Sequence, residues 1–344
     1  MKQIQRAGEN TTNYQAQTIS INGVSYTEAK EIALDVFRAN ALELSQIARR
    51  VAEERVEEIT ELLFEKMMER APGSINSVTD PGMQRAIFRV QEEYACSGDQ
   101  TLGEVLVDML VDRAQTADRD IEQITLNEAI KTAPKIATHH FTILATLLLT
   151  GKTQFTNVST VPALHERLKS ELAPVAEGLR VTDSDLRHLQ YAGCLAVDLG
   201  ERSIGTIFSD TYPGLFTKGF SRDEINDPSK ELEPPVIIPC LRDNTKLQVA
   251  ALNKDVLQKR VIQEWNLGEH EAELTRLMDV NLMPVNEIEE EISSLHPNLR
   301  NLVNLWNSSS MSHCQLTGVG IAVGHANIRR TLPEFTAGID VWVN

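Results

Sequence analysis

The sequence predicts a mainly α-helical protein whose C-terminal part is a smaller α+β domain. Three observations predict it. Apolar positions recur in steps of three and four through residues 27–180, the period of a helix with one buried face. Aromatic residues make up 5% of the chain, so the core is expected to be aliphatic. Beyond residue 181, short β-favouring runs alternate with Pro- and Gly-rich loops. At 344 residues the chain is long enough for two domains. The expected division is a β-arm at 1–25, an all-helical domain at 26–180 and an α+β domain at 181–344.

The arm comes first. Gly8 to Tyr26 is polar and almost free of charge. Within it Thr18-Ile19-Ser20-Ile21 alternates polar and apolar, and Asn22-Gly23 is a pair favoured in tight hairpin turns. A two-stranded ribbon alone buries too little to be stable. It is expected to dock on the body of the protein or on a second copy through Tyr14, Ile19 and Ile21.

Ser25 and Glu28 form a capping box that starts a helical pattern. No Pro or Gly interrupts it from Thr27 to Arg70. Its apolar stripe includes Phe37, Leu44, Val56, Ile59 and Leu63, and the opposite face is charged. As one rod it would be about 65 Å long, more than a small domain can cover. Those five residues are therefore expected to join the arm in self-association, making the protein a homo-oligomer.

Ala71-Pro72-Gly73-Ser74 stops the helix, and Asp80-Pro81 restarts the chain as an N-cap followed by Pro. Further helices are expected at 81–96, at 102–115 behind a Thr101/Glu104 capping box, and at 118–132, 138–150 and 160–178. In the C-terminal half the pattern gives a helix at 182–191 and strands at 194–197 and 247–251. Helices follow at 254–266, 269–280, 286–295 and 297–306, then one to about 330 and a terminal strand at 339–343. Residues 192–195 and 315–321 resemble the two strand-bearing corners of a winged-helix unit, with 200–310 as a loop-rich insertion between them.

Charge and composition exclude several classes. A net charge of −16 without a dense basic cluster argues against nucleic-acid binding and against docking on anionic lipid. The longest apolar run, Phe141 to Leu149, is about half of what a membrane span requires. No signal peptide is visible, and the four scattered cysteines form no CxxC pair, so a reduced, cytoplasmic protein is expected.

Motifs that would imply chemistry fail on context. Gly151-Lys152-Thr153 lacks the glycine and open loop of a phosphate-binding loop. Gly318-x-Gly320-x-x-x-Gly324 has too little strand before it for a dinucleotide site and reads as close helix packing. His165-Glu166 and His270-Glu271 have Lys169 and Leu274 where a zinc protease needs its second histidine. His139 and His140, adjacent on a helix, are expected to point apart. What remains is a set of weak candidates for a hydrolase or nuclease site: Asp198, Asp210, His313, Cys314 and His325. No metal or cofactor is expected.

Gly8-Glu9-Asn10-Thr11-Thr12-Asn13-Tyr14-Gln15-Ala16, followed by Glu28-Ala29-Lys30-Glu31-Ile32-Ala33-Leu34-Asp35-Val36-Phe37, resembles the start of an uncharacterised bacterial family. Leu106 to Arg113 and Leu316-Thr317-x-x-Gly320-Ile321-Ala322 extend the likeness over most of the chain. The opening is also similar to N-terminal modules of bacterial conflict and anti-phage proteins, from which Tyr14 and Gln17 depart. The resemblance implies a setting, bacterial immunity with a possible partner defence protein, and no catalytic residues. The expected function is a self-assembling, non-enzymatic scaffold or sensor. A hydrolase or nuclease and a winged-helix regulator are the alternatives.

Overall fold

The computed structural model describes residues 24–40, 46–116, 119–156, 158–227 and 229–343. The arm residues Tyr14, Ile19 and Ile21, and Leu44 of the helical stripe, lie outside the described residues. The chain forms two compact units, 1–119 and 120–344.

The N-terminal unit contains α1 (Tyr26–Asn40), α2 (Gln46–Arg70), α3 (Pro81–Ser97) and α4 (Gln100–Gln115). The Ser25 backbone N–H donates to the Glu28 carboxylate at 2.9 Å, and the Glu28 N–H donates to the Ser25 hydroxyl at 3.3 Å, so the first helix starts at its capping box. The single rod is corrected. The pattern divides into α1 and α2, which run antiparallel, with Lys30 paired to Glu61 at 2.6 Å and Phe37 packed with Ala52, Val56 and Ala95. Two amphipathic segments that cover each other remove their stripes from water without a second copy. Phe37, Val56, Ile59 and Leu63 are accordingly buried in this unit's own core.

Asp80 caps α3 by accepting the Met83 N–H at 2.8 Å, as the sequence predicts. The α4 cap is Asp99, which accepts from Leu102 N–H at 3.0 Å; the helix starts before the Thr101 cap read from the sequence. Two acids on α4 are buried. Asp108 accepts from Lys66 at 3.0 Å and from Arg70, and Arg70 also reaches Asp112 at 3.1 Å.

The C-terminal unit opens with α5 (Ile121–Thr132) and α6 (Thr138–Gly151). Next, α7 (Val161–Arg167) continues through a π-type turn at Leu168–Leu172 into α8 (Ala173–Val175). Then come α9 (Asp183–Tyr191), β1 (Leu195–Val197), α10 (Ile204–Thr211), α11 (Pro213–Phe216), β2 (Ile237–Pro239) and β3 (Leu247–Val249). The remainder is α12 (Lys254–Lys259), α13 (Glu271–Asp279), α14 (Val285–Leu295), α15 (Pro297–Ser308), β4 (Cys314–Leu316), α16 (Gly318–Thr331) and α17 (Asp340–Val343).

The boundary at 119/120 lies well before the 180/181 read from the sequence. Helix α6 explains the difference. It is buried on nearly every side, so it needs partners all round, and α16, from the far end of the unit, supplies most of them, with β4, α8 and α10 adding the rest. Gly324 allows the closest approach, since a Cβ there would stand 2.8 Å from the Leu144 carbonyl oxygen.

The two corners that resemble a winged-helix unit do meet. β1 pairs antiparallel with β4, Leu195 opposite Leu316 and Val197 opposite Cys314. Thr317 then caps α16, its hydroxyl accepting from Gly320 N–H at 3.2 Å and donating to Gly193 O at 2.6 Å. Residues between the corners build a satellite core in which the β2–β3 hairpin packs with Phe220, Leu257, Leu274 and Leu277. The terminal strand is corrected to helix α17: its apolar run has no strand to pair with among the described residues, and Trp342 instead donates its indole N–H to Lys152 O at 3.0 Å. Among the described residues no helix is long and apolar enough to cross a membrane.

Candidate functional site

Three places in the C-terminal unit gather polar chemistry. The first lies where α6 and α9 begin. His139 and His140 do not point apart, as their adjacency suggests; both Nε2 atoms reach Asp185 Oδ1, at 3.0 and 3.1 Å. First-turn side chains project past the helix end, so neighbours can converge on one acceptor there. Asp185 Oδ2 accepts from the Thr182 N–H and hydroxyl, at 2.8 and 2.7 Å. Burial would raise the Asp185 carboxyl, but the hydrogen bonds from Thr182, His140 and His139 outweigh it and hold it well below the usual carboxylate range.

The two imidazoles and the carboxylate offer ligand atoms within 4.8 Å of one another, a spacing that a metal ion could use. Proton placement decides otherwise for His140. Its Nδ1 accepts the Ala137 backbone N–H at 3.1 Å, which leaves the ring proton on Nε2, donated to Asp185. A metal at that Nε2 would need Nδ1 to carry the proton, facing another N–H. Burial pushes the His140 pKa down, against the pull of Asp185, in keeping with a neutral ring. The group is best described as a knot tying two helix starts together.

The second place collects three of the five sequence candidates. Asp198, His313 and Cys314 line one cleft of about 140 Å³, beside Lys152. Strand pairing brings them there, with the Asp198 N–H donating to His313 O at 2.8 Å. Asp198 Oδ2 is occupied by the Gln315 amide at 2.7 Å. Burial, with Asp183 adding to it, pushes the Cys314 thiol up to about 11, and its S–H points at Ser310 O, 3.3 Å away. A thiol held protonated is a poor nucleophile. Asp210 faces Arg202 at 3.5 Å and does not line this cleft. His325 is fully buried on α16 and donates from Nε2 to Ala337 O at 2.9 Å.

The third place is a cleft of about 770 Å³, and sequence reading missed it. It opens between the loop after α6, the α7 region and the segment 331–342. Its aromatic wall is Phe335 and Trp342, whose rings lie 17° from parallel with centroids 6.1 Å apart. The tryptophan near the C-terminal end was the available signal, absorbed into a strand that does not form.

The profile of an uncharacterised family, described as ":-like", matches residues 23–343. The chain belongs to that family. The match runs through both units and includes every candidate residue in the three places above. No curated protein and no solved structure matches the chain.

Proposed function

We propose that the protein is a self-assembling, non-enzymatic scaffold or sensor, acting in the cytoplasm as part of bacterial anti-phage defence. The observation that supports self-assembly is a run of exposed apolar side chains around β1. Tyr191 is 89% exposed, Val197 56% and Leu199 fully so. β1 has β4 on one edge and no other strand beside it among the described residues. An exposed apolar strand edge is a template for pairing with another chain, and a second copy of this protein is the partner we favour. This moves the contact surface from the helical stripe, which the N-terminal unit covers itself, to the ribbon of the C-terminal unit. The defence setting rests on the resemblance of residues 8–16 and 28–37.

Light scattering of the full chain tests this reading. The native protein should be an oligomer, and the Val197→Glu/Leu199→Glu variant should have a smaller mass with unchanged circular dichroism. A native protein that stays monomeric at all concentrations removes the proposal. A hydrolase or nuclease is the second reading, supported by the meeting of Asp198, His313 and Cys314 in one cleft. The protonated thiol and the Gln315-bound carboxylate weigh against it. A winged-helix regulator draws support from the β1–β4 pairing, while Asp183 and Asp185 at the start of α9 disfavour contact with DNA phosphates.

A further inference from the structure

We propose that the 770 Å³ cleft of the C-terminal unit is a binding site for a planar aromatic or heteroaromatic small molecule of two or three rings. Its volume falls in the range of about 300–1,000 Å³ typical of ligand pockets, and most of its lining is apolar. Burying a large aromatic ring is a strong source of stability, yet Phe335 and Trp342 are only half-buried where they line the cleft. They do not pack there by default. Trp342 is fixed by its indole hydrogen bond to Lys152 O, and both rings lean on the buried His325, with centroids 5.6 and 6.0 Å from it.

A ring pair held in place by a hydrogen bond and a buried third ring is a rigid shelf, in position before any ligand arrives. Rigid aromatic area is suited to stacking because little side-chain entropy is lost on contact. Across the cleft, Arg167 is neutralised by Glu171, so the shelf and not a strong charge selects the ligand. Lys152 has no ion-pair partner among the described residues and lies at the rim, where a polar substituent on the ring system would meet it. The site is separate from the ribbon surface invoked for self-assembly and stands whether or not that surface pairs.

N-phenyl-1-naphthylamine is the probe, a neutral fluorophore that carries a planar naphthalene and whose emission rises in apolar surroundings. Titration into the full chain should show saturable binding at one site per chain. Trp342→Ala should weaken it about tenfold, the size expected for loss of one stacking partner, and Trp342→Phe should restore it to within about threefold of the native value. Near-native circular dichroism of both variants keeps the comparison sound, and Trp342 is only half-buried. Absence of saturable binding overturns the proposal, and so does binding that Trp342→Ala leaves unchanged. If Trp342→Ala does not fold, Phe335→Ala replaces it, with the same outcome required.

Discussion

The two units hold their chains together by different means. Among the described residues of the N-terminal unit, four helices of 15–25 residues satisfy most backbone groups internally, and the polar interior is a charge cluster on α4 together with the Thr60–Gln91 pair. In the C-terminal unit the elements are short, and each short helix leaves carbonyls at its end without a partner in the helix. Side chains from distant segments also reach carbonyls at helix ends and in the loops between the helices. Asn298 donates to Ala173 O at 3.0 Å, Asn301 to Leu179 O at 2.9 Å and Trp306 to Arg202 O at 2.8 Å. Arg242 grips Glu291 through two nitrogens, at 2.8 and 2.9 Å, while His165 reaches the same carboxylate at 2.7 Å. Long elements hold together with few side-chain links; short ones need cross-links between segments.

Substitutions can break or sharpen this contrast. The largest effect is expected at the β1–α16 seam, where a Cβ on Gly320 would lie 2.0 Å from Cys194 O. Gly320→Val should lower stability by about 4 kcal/mol or leave the C-terminal unit unfolded, read by chemical denaturation. Near-native stability would mean that the seam is not a fixed part of the unit.

Next is the charge cluster of the N-terminal unit. Asp108→Ala leaves Lys66 and Arg70 facing a buried void, and about 3 kcal/mol should be lost. Asp108→Ala with Lys66→Met, which keeps Arg70 on Asp112, should recover part of it, since an apolar replacement of a buried ion pair is often neutral.

The histidine knot supplies a pH test. Asp185 has a folded pKa below its ordinary 3.8, so its contribution is present above that value and is lost as pH falls past it. His140, also depressed from its ordinary 6.5, makes the unfolded chain the better proton acceptor as pH falls below 6.5, so stability declines from there downward. Asp185→Asn should lower neutral-pH stability by about 2 kcal/mol and flatten the loss below pH 4. His140→Gln keeps an acceptor for the Ala137 N–H and should flatten the decline that begins near 6.5. Urea midpoints measured from pH 7 to 3 give both slopes.

The asparagine-to-carbonyl cross-links come after these. Asn298→Ala and Asn301→Ala should each cost about 1 kcal/mol, measured as shifts in thermal midpoint. The smallest effect is expected at the exposed Arg49–Glu53 pair of α2, where Arg49→Ala should change stability by less than about 0.5 kcal/mol. Equal losses at Asn298 and Arg49 would erase the distinction between the units.

What was legible in the sequence was local. Ser25 with Glu28 and Asp80 before Pro81 each carry their cap in the adjacent residues, and each caps as read. The helix through Phe141–Leu149 and its end at Gly151 follow from apolar content and glycine. What depends on distant segments was not legible. Nothing near His139 and His140 announces Asp185, which lies more than forty residues on. The rod was misjudged because periodicity records which face is buried but not what buries it; Lys30 meeting Glu61 is a tertiary fact. The cleft beside Trp342 is a void between segments, and no residue pattern encodes a void.

The seam between α6 and α16 also orders events at the ribosome. Helix α6 emerges some 170 residues before α16, and its apolar surface stays open until residue 331 has cleared the exit tunnel. The N-terminal unit has its four helices in hand by residue 119 and can fold early. During the interval the nascent C-terminal unit is the part in need of a chaperone, and chains halted before 318 should be the ones that precipitate.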